Sequence, residues 1–320
     1  MLSDACTLHH AEGCPQMPAS CSQTAKTLGN VEETAIFDAS QTLSPDHCAR
    51  PPRALGACYL RSKVQDNSGA SVLGDLRHSG CLKYLFPRGT ADRLNAVLVN
   101  TSGGITGGDA LQITATVDPS SRLSLTTQAA ERIYRASGCD DGKVSTLIDV
   151  GNGARVDWLP QETILFDGAA LDRRLRVNLA GDARCLLVET LVFGRTAMGE
   201  RISALRLSDR IEVWRDGTPL FIDRMRLAGN ASGHLRRRAI GAGTVAMASV
   251  LLVTPPDSGE AAAHLAQLRH DLPQQAGASL IRPGVLFLRL AAEDSFVLRK
   301  TLLPILVQLN DGPLPRTWMI

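Results

Sequence analysis

Asn95–Val117 reads NAVLVNTSGGITGGDALQITATV, and the residues after its glycines decide the fold. Two glycine pairs, Gly103-Gly104 and Gly107-Gly108, end an apolar run, and Asp109 closes them. A glycine-rich turn after a strand raises a phosphate cradle, because its backbone N–H groups can point at an anion. The spacing excludes it. A P-loop needs G-x-x-x-x-G-K followed by Ser or Thr, a dinucleotide site needs G-x-G-x-x-G, and both must open a helix. No Lys comes next here, and Leu111, Ile113, Ala115 and Val117 alternate with Gln112, Thr114 and Thr116. That period of two is a strand with one face on a core. The glycines therefore predict a tight bend with positive φ, its backbone open to a partner and Asp109 exposed beside it.

The same alternation recurs on both sides of the bend. Upstream, residues 58–65 and 74–89 read as short strands broken by glycine, with a turn at Pro87-Arg88-Gly89. Downstream, Leu123 and Leu125 begin a strand, and Thr126–Arg135 is a polar connection with room for a helical turn. Strands come next at 144–150, 154–160, 162–166 and, on Leu175, Val177 and Leu179, at 173–179. Further strands fall at 184–193, 201–207, 210–214 and 219–227, with turn signals about every 8 to 15 residues, the spacing of an all-β domain. The last quarter differs. Ala261, Leu265 and Leu268 have helical spacing stopped by Pro273, a strand lies at 285–290, and Asp294–Leu309 reads as a second helix with a kink or break at Pro304. The fold class expected is mainly β: a large, β-helix-like body of many short strands with two α-helices near the C-terminus.

With 320 residues the chain can bury a substantial core. Residues 1–52 have no sustained period and close on Pro51-Pro52, which predicts a disordered N-terminal extension; residues 53–320 form the β-rich domain, with the helices from about 258. A formal charge of +2 and 4% aromatic residues point away from nucleic acid. No apolar run reaches the roughly 20 residues of a membrane helix, and the first residues lack a signal-peptide pattern, so a cytoplasmic protein with no membrane partner is expected. Eight dispersed cysteines are expected to be reduced. Cys6, Cys14, Cys21 and Cys48 lie near His9, His10 and His47, but no C-x-x-C pair or spaced histidine pair makes a zinc site of them.

Three carboxylates interrupt apolar runs: Asp149, Glu189 and Asp223. A carboxylate among large apolar residues either turns to solvent through the period of two or is half-buried, where it needs a partner or a wet cavity. Asp149 has only the solvent-facing reading. No G-x-S-x-G box, H-E-x-x-H pair or catalytic cysteine context occurs, and only His78, His234, His264 and His270 lie outside the first 52 residues. An active site is not evident.

Several motifs in order do carry a resemblance. LVNTSGGITGGDAL (98–111), TTQAAERIYRASG (126–138), WLPQETILFDGA (158–169), the set Glu189, Gly194, Arg195, Gly199 and Glu200, and the terminal LPRTWM (314–319) resemble the urease accessory protein UreD family, also called UreH. The likeness covers about residues 58–320. It departs at Thr101-Ser102, where relatives often have two prolines, and at Arg132-Ile133-Tyr134-Arg135, where they often have Lys-Phe-Tyr-Arg.

The resemblance implies a protein that is not an enzyme: a β-rich scaffold that binds the urease structural subunits and UreF, and through UreF the GTPase UreG. It implies that nickel passes transiently along a polar interior path to the urease active site, and that nucleotide binds the GTPase and not this chain. By motif, the path-lining acids fall on Asp109, Glu189 and Asp223. Gly103, Gly104, Gly107, Gly108, Tyr134, Arg135, Glu162, Gly194, Arg195, Glu200, Arg316 and Trp318 are implied to fix structure or meet partners. Oxygen donors suit such transit, since they hold divalent first-row ions more weakly than thiolate or imidazole clusters do. Two other readings compete with this one. A carboxylate-based hydrolase such as a glycosidase needs two acids in an open cleft with stacking aromatics, and three Trp and three Tyr offer little of that. A passive structural module would have no metal role.

Overall fold

The computed structural model describes residues 52–88, 92–195 and 198–319. The expected N-terminal extension, with its four cysteines, lies outside them. The chain opens with two antiparallel hairpins, β1 (Leu55–Val64) with β2 (Ser71–Gly80) and β3 (Leu82–Leu85) with β4 (Leu94–Asn100). It then winds between two sheets. β5 (Ala110–Val117) joins β1 in a seven-stranded sheet, and β6 (Arg122–Thr127) joins β4 in a ten-stranded one. After the short corner strand β7 (Glu131–Ile133), β8 (Gly142–Val150) returns to the first sheet and β9 (Arg155–Leu159) to the second. A second corner strand, β10 (Thr163–Leu165), leads to β11 (Ala170–Leu179), β12 (Arg184–Phe193) and β13 (Arg206–Arg215), which continue the alternation. Successive turns stack in parallel, β1-β5-β8-β11-β13 in one sheet and β4-β6-β9-β12 in the other. This is a β-helix-like path, the fold class expected.

The winding has an apolar seam. Ile105, Ile133, Leu165 and Phe193 are register partners up one corner, one from each turn, and all are buried. Each such side chain contributes about 1.5–3 kcal/mol through burial. Here the expected helical turn in Thr126–Arg135 is corrected: Ile133 enters the seam, and β7 is extended so that its carbonyls and N–H groups bond the turns on either side. The tertiary ladder overrides the local polarity.

The chain leaves the winding through β14 (Thr218–Ala228), antiparallel to β13, and a five-residue helix α1 (Ala231–Leu235). It closes with β15 (Ala246–Val253), α2 (Glu260–Leu268), β16 (Ala276–Arg282), β17 (Val285–Ala292), α3 (Ser295–Leu309) and a single 3-10 turn at Arg316–Trp318. The three strands extend the ten-stranded sheet antiparallel to β12, while α2 and α3 cover its outer face. Val188, Val250 and Leu288 meet Leu265, Leu302 and Leu306 there. β12 is therefore buried on both faces, which explains its near-continuous apolar text. The expected interruption at Pro304 is absent: α3 runs unbroken, capped by Asp294 accepting from the Val297 N–H at 2.7 Å, with five residues buried along it. The expected strand at 201–207 begins only at Arg206, and the strand expected from Gly74 starts earlier, at Ser71.

Candidate functional site

The glycine bend connects β4 to β5. Gly103, Gly104 and Gly108 have positive φ, as expected, whereas Gly107 serves close approach: a Cβ there would stand 2.5 Å from the Asp140 carbonyl. At Gly104 a Cβ would run into the Tyr134 ring and stand 2.6 Å from the Arg132 carbonyl. The bend thus lies flat on the turn beneath it. Asp109 is not exposed beside it, as the sequence suggested, but 4% accessible. One carboxylate oxygen accepts from the Ala54 N–H at 2.7 Å and the other from the Thr106 N–H at 2.8 Å. Those bonds tie the entry of β1 to the bend.

Glu189 faces the space between the sheets. It is buried; its Oε1 accepts from the Trp158 indole N–H at 2.8 Å, and its Oε2 lies 2.5 Å from Arg173 Nη1. The same guanidinium donates to Asp209 through Nε at 2.9 Å and Nη2 at 2.7 Å, and to Thr163 Oγ1 at 3.0 Å. Two buried carboxylates therefore share one cation. Burial pushes the Glu189 carboxyl above its ordinary range; Arg173 opposes this and Asp209 adds to it. Neither Arg173 nor Asp209 stands out in the sequence, although parity points to both. Arg173 continues the inward set of Leu175, Val177 and Leu179, and Asp209 that of Leu207, Ile211 and Val213.

This cluster borders an internal cavity of about 60 Å³, otherwise mostly apolar, whose wall includes Trp158, Arg173, Glu189 and Glu131. The volume accommodates more than one water molecule. Glu131 also lines a neighbouring hollow of about 160 Å³ under Asn100, Gly103 and Gln128, so it stands where the two meet. Burial raises its carboxyl, against the Asn100 amide, which donates at 3.2 Å. Glu131 carried no signal in the sequence. Neither Asp109 nor Asp223 lines the cavity.

Asp223 lies on the inward face of edge strand β14 and pairs with Arg289 of β17, joining the two sheets. Arg289 is in register with Ser249, and Ser249 with Glu189. At about 4.8 Å per strand, a polar row thus crosses the inner face from Glu189 to the Asp223–Arg289 pair. Asp149 is exposed and accepts from the Asn178 amide at 2.7 Å. Among the described residues, no three His, Cys, Asp or Glu side chains gather as a metal site.

The remaining motif residues form two groups. Tyr134 donates to the Gly103 carbonyl at 3.3 Å and meets Phe166 edge-on at 5.1 Å between centroids, with Arg195 4.5 Å above that ring. Arg195 pairs with Glu200 at 2.9 Å and holds its carboxyl below the usual range; Arg135 pairs with Asp167 at 2.6 Å, and Glu200 accepts from the Asp167 N–H. Gly194, at positive φ, lets the chain turn beside the Glu200 carbonyl. At the other end Trp158's neighbour Leu159 accepts from the buried Trp318 indole at 2.9 Å, Arg299 covers Trp318 and approaches Glu162 at 3.7 Å, and Arg316 borders a groove of about 440 Å³.

A family model described as the UreD urease accessory protein matches residues 56–319. The chain belongs to the UreD family. Among UreD proteins it is 51% identical to one from Ruegeria sp. (strain TM1040), over 85% of this chain and 92% of that one. It is 39% identical to one from Rhizobium leguminosarum bv. viciae, over 84% and 96%. UreD is a family of accessory proteins, not of enzymes, which removes the hydrolase reading; Glu189 is moreover sealed between sheets rather than set in an open cleft. No helix among the described residues is long and apolar enough to cross a membrane.

Proposed function

We propose that this UreD chain is a scaffold for urease metallocentre assembly. It binds the urease structural subunits and UreF, reaches the GTPase UreG through UreF, and conducts nickel as cargo through its interior in a cytoplasmic complex. The observation that carries the reading is the cavity walled by Glu189, with two buried carboxylates sharing one guanidinium. An interior with surplus negative charge must take up a proton or a cation. A divalent ion meeting Glu189 displaces that proton or draws the carboxylate from Arg173, which keeps both oxygens of Asp209. With only one or two oxygen donors at each step and water for the rest, the ion is held weakly and passed on. In this scheme the ion enters past Glu131, meets Glu189 and leaves along the row toward Asp223. Asp109 fixes the wall by holding the bend.

The test is co-expression with urease subunits, UreF and UreG, counting nickel in the purified urease. A Glu131→Gln, Glu189→Gln, Asp223→Asn chain is expected to leave urease with about as little nickel as no chain at all, while still co-purifying with it. A nickel count unaffected by the three changes sinks the conduit and leaves a passive module; failure of even the unaltered chain to bind urease sinks the scaffold.

A further inference from the structure

The outer face of the seven-stranded sheet carries a feature that the nickel route does not use. Arg174, Arg210 and Arg224 occupy the same register position on β11, β13 and β14. Their side chains alternate with the inward core residues, so all three stand on the solvent face, Arg174 at 67% side-chain exposure. Like charges directly opposite on neighbouring strands destabilise a sheet. Arg226 and Arg176 extend the patch on the rows either side. The acids that answer them are Asp172, 3.0 Å from Arg174, and Glu212, which pairs with Arg210 and lies 3.9 Å from Arg176. Five arginines against two carboxylates leave a surplus of three positive charges. Arg224 and Arg226 have no carboxylate within ion-pair distance among the described residues, and Ile222 beside them is 51% exposed.

We infer that this end of the outer sheet face is a docking surface for a carboxylate-rich surface of a protein partner. Three features favour such a partner over nucleic acid. The planar guanidinium fork matches carboxylates two-pronged. The chain's total charge is only +2, so the field is local rather than the broad one that draws a phosphate backbone. Exposed Ile222, and Trp214 with Arg176 stacked 4.6 Å above it, add the apolar and aromatic contact that protein interfaces use. The repulsion within the row is then relieved when the partner's carboxylates arrive.

The test titrates the purified full chain against fluorescent poly-L-glutamate, with a DNA duplex of similar charge as competitor. The unaltered chain is expected to bind the polyglutamate, with binding lost at high salt. An Arg174→Gln, Arg210→Gln, Arg224→Gln chain is expected to bind at least about tenfold more weakly, as three pairs of roughly 0.5 kcal/mol each imply. Its unfolding midpoint is expected to equal or exceed that of the unaltered chain, because like-charge neighbours have been removed. Should the triple change harm folding through Glu212, Arg224→Gln with Arg226→Gln removes two side chains outside any ion pair and is expected to weaken binding about fivefold. Equal binding by altered and unaltered chains, no binding of polyglutamate, or tighter binding of the duplex each overturns the inference.

Discussion

Between the sheets, Arg173 serves both Glu189 and Asp209; on the opposite face of the ten-stranded sheet, Arg93 and Arg155 both serve Asp157, at 3.3 and 2.8 Å. Both clusters are buried and of fixed geometry, but their charge balance differs: the first sets two carboxylates against one cation, whereas in the second Asp92, 3.6 Å from Arg93 Nε, matches the second arginine. The second is closed further by structure: Arg155 donates at 3.2 Å to the Leu309 carbonyl at the C-terminus of α3, the negative end of a helix. The surplus anion of the first has the Trp158 indole and a cavity. One cluster is closed by its surroundings, and the other is left to be closed by something that moves, a proton or a cation.

The largest expected effect breaks the open cluster. Arg173→Met leaves Glu189 and Asp209 facing each other without a cation, and removing one partner of a buried ionic set costs about 3–5 kcal/mol. Urea unfolding near neutral pH measures it. The deficit should shrink as the pH is lowered, because protonation neutralises the carboxylates that the arginine served. A loss under about 1 kcal/mol would mean that the pair is already neutral, and the contrast between the clusters would fail.

The difference between the clusters was half legible in the sequence. Period two announced the strands, and the inward parity of Leu175 and Val177 extends to Arg173, so the cation could have been found by continuing that pattern. Glu189 was legible as awkward, but not as buried: β12 is covered on both faces, and alternation says nothing about a strand without a solvent side. Glu131 was hidden because the pairing that makes β7 a strand comes from residues about thirty positions away on either side. Asp109 misled for a related reason. Its glycines advertise an open turn, whereas the N–H groups that bury its carboxylate come from Thr106 and from Ala54, far upstream.

A smaller effect sharpens the sign of the surplus. Glu189 titrates above its ordinary value of 4.5, chiefly through burial. A raised folded pKa means that the folded state holds the proton more tightly. Its contribution to stability is complete below the unfolded value, is lost as pH rises through the folded one, and is constant beyond it. While the group titrates, the slope is at most about 1.4 kcal/mol per pH unit. Glu189→Gln removes that slope, so the variant should gain on the unaltered chain as pH rises from 4.5 and hold its gain above the folded pKa. Paired urea unfolding across that range reads it; a gap that narrows with rising pH would reverse the assignment.

The smallest effect comes from the closed cluster. Arg93→Met removes one of two cations on Asp157, and Arg155 at 2.8 Å remains, so no buried charge is stranded. Among the described residues Arg93 Nη2 has no hydrogen-bond acceptor and Nε meets only the half-exposed Asp92, at 3.6 Å, while the methionine thioether asks for none. Replacing a buried ion by an apolar side chain of similar length is often neutral when its partner keeps another counter-charge. The expected cost is about 1 kcal/mol or less, against several for Arg173→Met, by the same unfolding measurement. A cost equal to that of Arg173→Met would show that Asp157 depends on both arginines. Breaking a balanced cluster would then cost as much as breaking the unbalanced one, and the cavity beside Glu189 would lose its claim to be the place where this fold leaves charge unanswered.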